Sequence, residues 1–350
     1  MFTHVQLACA SRRREERLVH RPRSDDRRIC GLARWLVAVA IVAGASHAAQ
    51  AHGIVGNRVF PGTLTFEDPA VMDELVLPAM TLKHPGEGAD VTDNRIGWSF
   101  TRLLTSTVSI GFESGWIHRN WGVAQRSGFD TTLLTIKDLL YKNEQHEVMI
   151  STGLAWGIGH SGAQGVDASK PDTILPGIFF GKGFGDAPES AAWLRPFAIT
   201  GAVTLEHPMT GTSINFGIDE QTGELASMLV RNVDTLHWAF SLQYSMYYLS
   251  GRYTAGKLPK NEPVNQLIPL VEFAFDSPRG AKTAGTINPG LAYVADKWQI
   301  AAEAIVPLNS EGGRTIGVRA HLFLFLDELF PAVFDKPLLG STEASANRHR

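Results

Sequence analysis

Apolar and polar residues alternate at period two in segment after segment, and the polar rows are Ser, Gly, Thr and Gln in place of charge. Several of these segments run ten residues or more, the length of a tilted strand crossing hydrocarbon. Together these features predict an all-β fold: an antiparallel transmembrane β-barrel of about 12 strands, preceded by a cleaved signal peptide. The divisions read from the sequence are a signal peptide over 1–51, an N-terminal segment with the first strand and a long loop over 52–94, a barrel over 95–325, and a periplasmic tail over 326–350.

The leader comes first. RRREERLVHRPRSDDRR is a charged region, LVAVAIVAGA an apolar core too short to span a bilayer, and Ala49-Gln50-Ala51 fits a small-x-small cleavage site. Residues 1–51 hold nine arginines, four acids and no lysine. Taking these from the chain's 32 basic and 35 acidic residues leaves 23 against 31, a net charge of about -8. That remainder is no basic nucleic-acid binder, since backbone recognition needs concentrated positive charge. Both cysteines, Cys9 and Cys30, fall in the leader, so the exported chain has no disulfide framework and no thiolate chemistry.

The strands follow in order. GNRVFPGTLTF (56–66) reads as the first, with Pro61 suited to an early or edge position. RIGWSFTRL, TVSIGFESGW and FDTTLLTIKDLLY come next. In the second of these, Val108, Ile110, Phe112 and Trp116 oppose Ser109, Gly111, Glu113 and Gly115. VMISTGLAW, TILPGIFFGK and RPFAITGAVTLE continue the pattern, and HWAFSLQYSMYYL sets an apolar row through Met246 and Tyr248. LIPLVEFAFD, AGTINPGLAYV, KWQIAAEAIV and TIGVRAHLFLF complete the set. The last ends on Phe325, as closing strands of outer-membrane barrels tend to end on an aromatic residue. DELFPAVF after it is expected to fold back over the periplasmic mouth.

The connections supply an independent test. With both termini on one side, tight turns are expected near 105, at 142–145 and near 296, and long polar loops at 67–94, 119–128, 159–172 and 208–235 on the other. Trp98, Trp116, Trp156, Trp193, Trp238 and Trp298 fall near strand ends, where interfacial rings are favoured. A soluble β-sandwich also alternates, but its outward rows carry more charge than these do.

IGWSFTRLLTSTVSIGFESGW, LLTIKDLLYKNEQHEVMISTGLAW, FFGKGFGD, LRPFAITGAV and LIPLVEFAFDSP give the chain a further likeness. Over most of 95–325 it resembles bacterial outer-membrane proteins of the phenol-degradation (MetA-pathway) channel type and related uncharacterised barrels. The resemblance implies a monomeric or weakly associated channel for small molecules, held in outer-membrane lipid.

No nucleophile elbow, phosphate loop, HExxH or dinucleotide glycine pattern is present, so no catalytic residues are assigned and the chain is read as a non-enzyme. The barrel registers put Arg102, Glu113, Lys137, Arg195, Glu272, Glu303 and Arg319 on the lumen side, as solute-orienting charges or as pairs that fill the interior. Cleavage after Ala51 leaves His52 with a free α-amine beside its imidazole, a chelate suited to copper. His84, the nearest other histidine, falls at the opposite end of the expected topology. No other cofactor is expected. The expected function is passage of a small solute through the outer membrane. The alternatives are an exported periplasmic all-β protein binding a metal or small ligand, and a closed structural barrel.

Overall fold

The computed structural model describes residues 53–83, 91–219, 222, 224–253 and 262–339. The leader 1–51, His52 and His84 lie outside them. Long strands dominate, and each pairs with its neighbours antiparallel. The wall is built from β3 (Glu74–Lys83), β4 (Thr92–Leu103), β5 (Val108–Asn120), β7 (Leu133–Asn143), β8 (Val148–Gly157) and β9 (Thr173–Gly183). It continues through β10 (Phe197–Pro208), β13 (Thr235–Tyr244), β14 (Leu267–Pro278), β15 (Ala284–Val294), β16 (Trp298–Pro307) and β17 (Gly317–Phe325).

β17 pairs with β3, placing Arg319 opposite Thr81, and β3 pairs with β4 while β4 pairs with β5. The hydrogen-bonded ring is therefore closed. Of the 13 strands in this sheet, only the short β6 (Gln125–Phe129) extends one rim of β5, which leaves a barrel of twelve. Closure removes the exposed strand edges that hydrocarbon would punish by several kcal/mol per unpaired group.

The side chains are distributed inside out. Ile178 is 57% exposed on the outer wall, whereas Glu272 on the inner wall is fully buried. Leu154, Leu205, Leu242, Leu291 and Ile300 join the exposed apolar belt; Ser151, Thr200, Ser241, Asn288 and Gln299 join the buried polar interior. A water-soluble sheet would do the reverse, so this wall faces lipid. No helix among the described residues is long and apolar enough to cross a membrane, and the crossing falls to the strands.

One end of the barrel, called proximal here, carries the start of β3 and the end of β17. Its turns at 104–107, 144–147 and 295–297 are tight, as the sequence suggests. The turns at 184–196 and 245–266 are longer and hold a 3-10 turn, Glu189–Leu194, and a helix, Met246–Tyr253. The distal connections include the hairpin of β11 (Thr212–Ile218) and β12 (Leu225–Arg231).

Three expectations are corrected. Residues 56–66 are not the first barrel strand. β1 (Gly53–Val55) and β2 (Arg58–Phe60) form a separate two-stranded hairpin, with Gly56 at φ 63° in the two-residue turn. The first barrel strand is β3, inside the stretch 67–94 read as a loop. Pro78 and a register shift between Val76 and Ala79 break its period-two pattern. Third, the strand expected over 237–249 stops at Tyr244. The Ser245 amide donates to the Pro196 carbonyl (2.8 Å), and Met246–Tyr253 turns helical.

Candidate functional site

The β1–β2 hairpin and the irregular chain that follows it to Asp73 fill the proximal half of the barrel. Small residues make the fit. A Cβ on Gly62 would lie 2.8 Å from the Phe323 ring, and one on Gly181 would lie 3.2 Å from Phe60. Val55, Phe60, Ala70 and Met72 of this plug pack against Val76, Met149, Ala198, Phe323 and Phe325 of the wall.

Arg58 anchors the hairpin. Its guanidinium, 1% exposed, donates to Glu147 (3.2 Å) and to the carbonyls of Arg195 (2.6 Å), Pro196 (3.1 Å) and Phe197 (3.2 Å). It also lies 4.1 Å from the centroid of the Tyr248 ring, whose hydroxyl donates to Glu147. Burial, then contact with Glu147, raises the Tyr248 phenol above its ordinary range, so it stays a donor.

The plug tip is tied to the wall at Thr65. Glu272 accepts from the Leu64 amide (3.1 Å) and the Thr65 amide (2.8 Å). The Thr65 hydroxyl donates to Glu303 (3.0 Å) and accepts from Asn288 Nδ2 and Arg319 Nη1, each at 2.8 Å. Arg319 Nη1 also reaches Glu303 and the Leu64 carbonyl at 3.0 Å. Lower down, Gln299 brackets Gly62, accepting from its amide (3.0 Å) and donating to its carbonyl (2.8 Å).

Across the barrel, Lys137 Nζ donates to the Asp68 and Ala70 carbonyls, each at 2.9 Å, and pairs with Glu67 at 2.8 Å. Ser151 Oγ donates to the Pro69 carbonyl. Burial raises the Asp68 carboxyl above the usual carboxylate range, with Lys137 opposing the shift.

Above the tip the lumen opens toward the distal end. One cavity of about 510 Å³ is lined by Phe179, Thr204, Glu206 and His237, and a neighbouring one of about 460 Å³ by Arg95, Ser99 and Thr101. Thr65, Phe66 and Glu67 line both, so the plug tip is their shared floor. Aromatic, hydroxyl and charged side chains mix in their lining.

The seven candidate lumen residues fall in different places. Lys137, Glu272, Glu303 and Arg319 converge on the plug. Glu113 lines both cavities and pairs with Arg95 (3.0 Å), which also holds Asp130 (2.6 Å). Arg195 precedes β10 in the proximal turn, pairing with Glu189 (2.7 Å) and lending its carbonyl to Arg58. Arg102 differs from expectation. It shares the outward row of Ile96 and Phe100 and stands opposite outward-facing Ile110, its charge met by Asp73 at 2.7 Å.

Arg58, Thr65, Glu147, Asn288 and Gln299 carry much of the seal yet were not singled out by sequence. The inward parity of Asn288 and Gln299 on their strands is the one signal that points to any of them. Among the described residues no group of three or more His, Cys, Asp or Glu is placed to hold a metal. The copper expectation at His52 falls outside the described residues.

No family model matches the chain, and no curated protein matches it. Solved structures do. An outer membrane channel from Pseudomonas putida F1 matches at TM-score 0.46 and 10% identity, covering 76% of this chain and 99% of its own. The NanC porin matches at TM-score 0.38 and 9% identity, covering 72% and 98%. The toluene transporter TbuX from Ralstonia pickettii matches at TM-score 0.37 and 9% identity, covering 81% and 98%. The fold assignment itself rests on the closed ring of strand pairings and the outward apolar belt.

Proposed function

We propose that the protein is a gated, non-catalytic channel of the bacterial outer membrane. A small solute enters the distal vestibule and crosses when the N-terminal plug shifts from its seat. In this reading the proximal end faces the periplasm, which supplies the chain termini, and the vestibule faces the cell exterior. The carrying observation is the plug. It is a discrete segment preceding the first wall strand, held to the wall by side-chain contacts, so it can move without breaking the barrel ladder. The channels named above lend the same direction.

A second reading, a permanently closed envelope barrel, is favoured by the density of hydrogen bonds at Arg58 and Thr65. Flux of small neutral solutes into proteoliposomes separates the two. Gating predicts slow uptake through the full chain and fast uptake once residues 53–70 are deleted. If the deleted protein assembles as a heat-modifiable barrel and still passes nothing, the channel reading is wrong.

A further inference from the structure

Beyond β17 the described chain continues as two single-turn helices, Leu326–Leu329 and Pro331–Phe334, and a stretch ending at Leu339. Backbone hydrogen bonds fix its position. The Leu326 amide donates to the Asp73 carbonyl (3.1 Å), Leu338 to Leu103 (3.1 Å) and Leu339 to Leu104 (2.8 Å). The tail thus passes beside the β4–β5 turn at the proximal rim.

Arg102 shows which side of the wall it takes. That residue stands on the outward row, where a bare guanidinium facing lipid would be costly. Its Nη2 donates to the Val333 carbonyl (3.1 Å) and the Lys336 carbonyl (2.7 Å), and its charge lies 4.7 Å from the Phe334 ring centroid. The tail therefore wraps a lipid-row arginine at the rim. Yet Phe330, Val333, Leu338 and Leu339 remain 56, 65, 61 and 73% exposed. Of the charged residues in the tail, Asp327 and Glu328 precede Phe330, and Asp335 and Lys336 fall between Val333 and Leu338.

We infer that residues 330–339 form an in-plane anchor seated in the phospholipid leaflet at the proximal end of the barrel. The leaflet is the occupant because the tail sits on Arg102, whose strand partner is outward Ile110 of the lipid-facing belt. A soluble partner would have to compete with lipid already in contact with that belt. The anchor also explains how Arg102 is tolerated: the charge stays at headgroup depth, and tail carbonyls with Asp73 complete its hydrogen bonds. The inference rests on the membrane-barrel reading.

The chain's only cysteines are Cys9 and Cys30, so single-cysteine variants of the full protein are readily made after replacing those two. Val333→Cys, Leu338→Cys, Glu328→Cys and, as a mid-belt control, Leu154→Cys are labelled with an environment-sensitive fluorophore and reconstituted in phosphatidylethanolamine–phosphatidylglycerol vesicles. Spin-labelled lipid is expected to quench positions 333, 338 and 154 several-fold more than 328. Equal quenching of 333, 338 and 328 by aqueous iodide, with 154 still lipid-quenched, overturns the anchor. Loss of lipid quenching at 154 as well indicts the barrel reading instead.

Discussion

Replacing Arg58 with Ala removes the most deeply buried ion pair between plug and wall. The guanidinium makes an ion pair and three carbonyl hydrogen bonds at 1% exposure, and its loss strands Glu147. Breaking a buried pair by deleting one partner costs about 3–5 kcal/mol, much of it the charge left behind. Glu147 keeps the Gly185 amide (2.9 Å) and the Tyr248 hydroxyl, which favours the lower part of that range. At about 1.4 kcal/mol per tenfold, roughly 3 kcal/mol raises the ratio of unseated to seated plug about a hundredfold. Planar-bilayer conductance reads that ratio as open probability. Arg58→Ala should open far more often than wild type. Arg58→Ala with Glu147→Gln should be partly restored toward closure, because the stranded charge is gone. Wild-type conductance from Arg58→Ala, with the pore opened by deletion of residues 53–70, would show that Arg58 does not hold the plug in its seat.

Other perturbations test separate links. Gly62→Val sets a side chain against the Phe323 ring, where even a Cβ would come within 2.8 Å, and overpacking of about 1–3 kcal/mol should likewise raise open probability. Leu154→Arg places a charge on the lipid belt and should weaken the barrel by about 2–4 kcal/mol, seen as a lower heat-shift temperature on a gel. Asp327 gives a pH dependence. Burial first, then Glu328, with Asp73 contributing, raises its carboxyl from 3.8 to about 6. The docked tail holds that proton more tightly than the undocked one, so docking is strongest below the free value and weakens as pH rises through about 6. Fluorescence from a label at position 338 should report this loss, and Asp327→Asn should abolish it; an unchanged profile in the variant counts against the assignment.

The wall was legible because its period-two code is local. TVSIGFESGW and KWQIAAEAIV each show two environments within ten residues, and the structure places both as β5 and β16. The same code misled at GNRVFPGTLTF. Alternation reports that a segment meets two environments, and a hairpin packed inside a barrel satisfies it as well as a wall strand does. The real first strand, ELVLPAMTLK, was hidden because Pro78 and a bulge shift its inward residues out of phase.

The site was half visible. Lys137, Glu272, Glu303 and Arg319 sit on polar rows, so their inward direction follows from parity. Their convergence does not, because Thr65 meets Glu272 across 207 residues of sequence and Arg319 across 254. Arg102 shows the opposite limit: a charged side chain suggests the lumen, yet row membership with Ile96 and Phe100 places it outside. Only the tail and Asp73 make that position tenable.

The N-terminal segment lies inside the barrel against the opposite wall, and a covalent link between the two reads that placement. Glu67 of the plug and Lys137 of the wall are 2.8 Å apart and distant in sequence. A zero-length carbodiimide coupling of the full chain in vesicles, followed by mass spectrometry, should yield a peptide linked through residues 67 and 137. Recovery of the Lys182–Asp186 link (2.9 Å) without the 67–137 link would mean that the segment does not lie in the lumen.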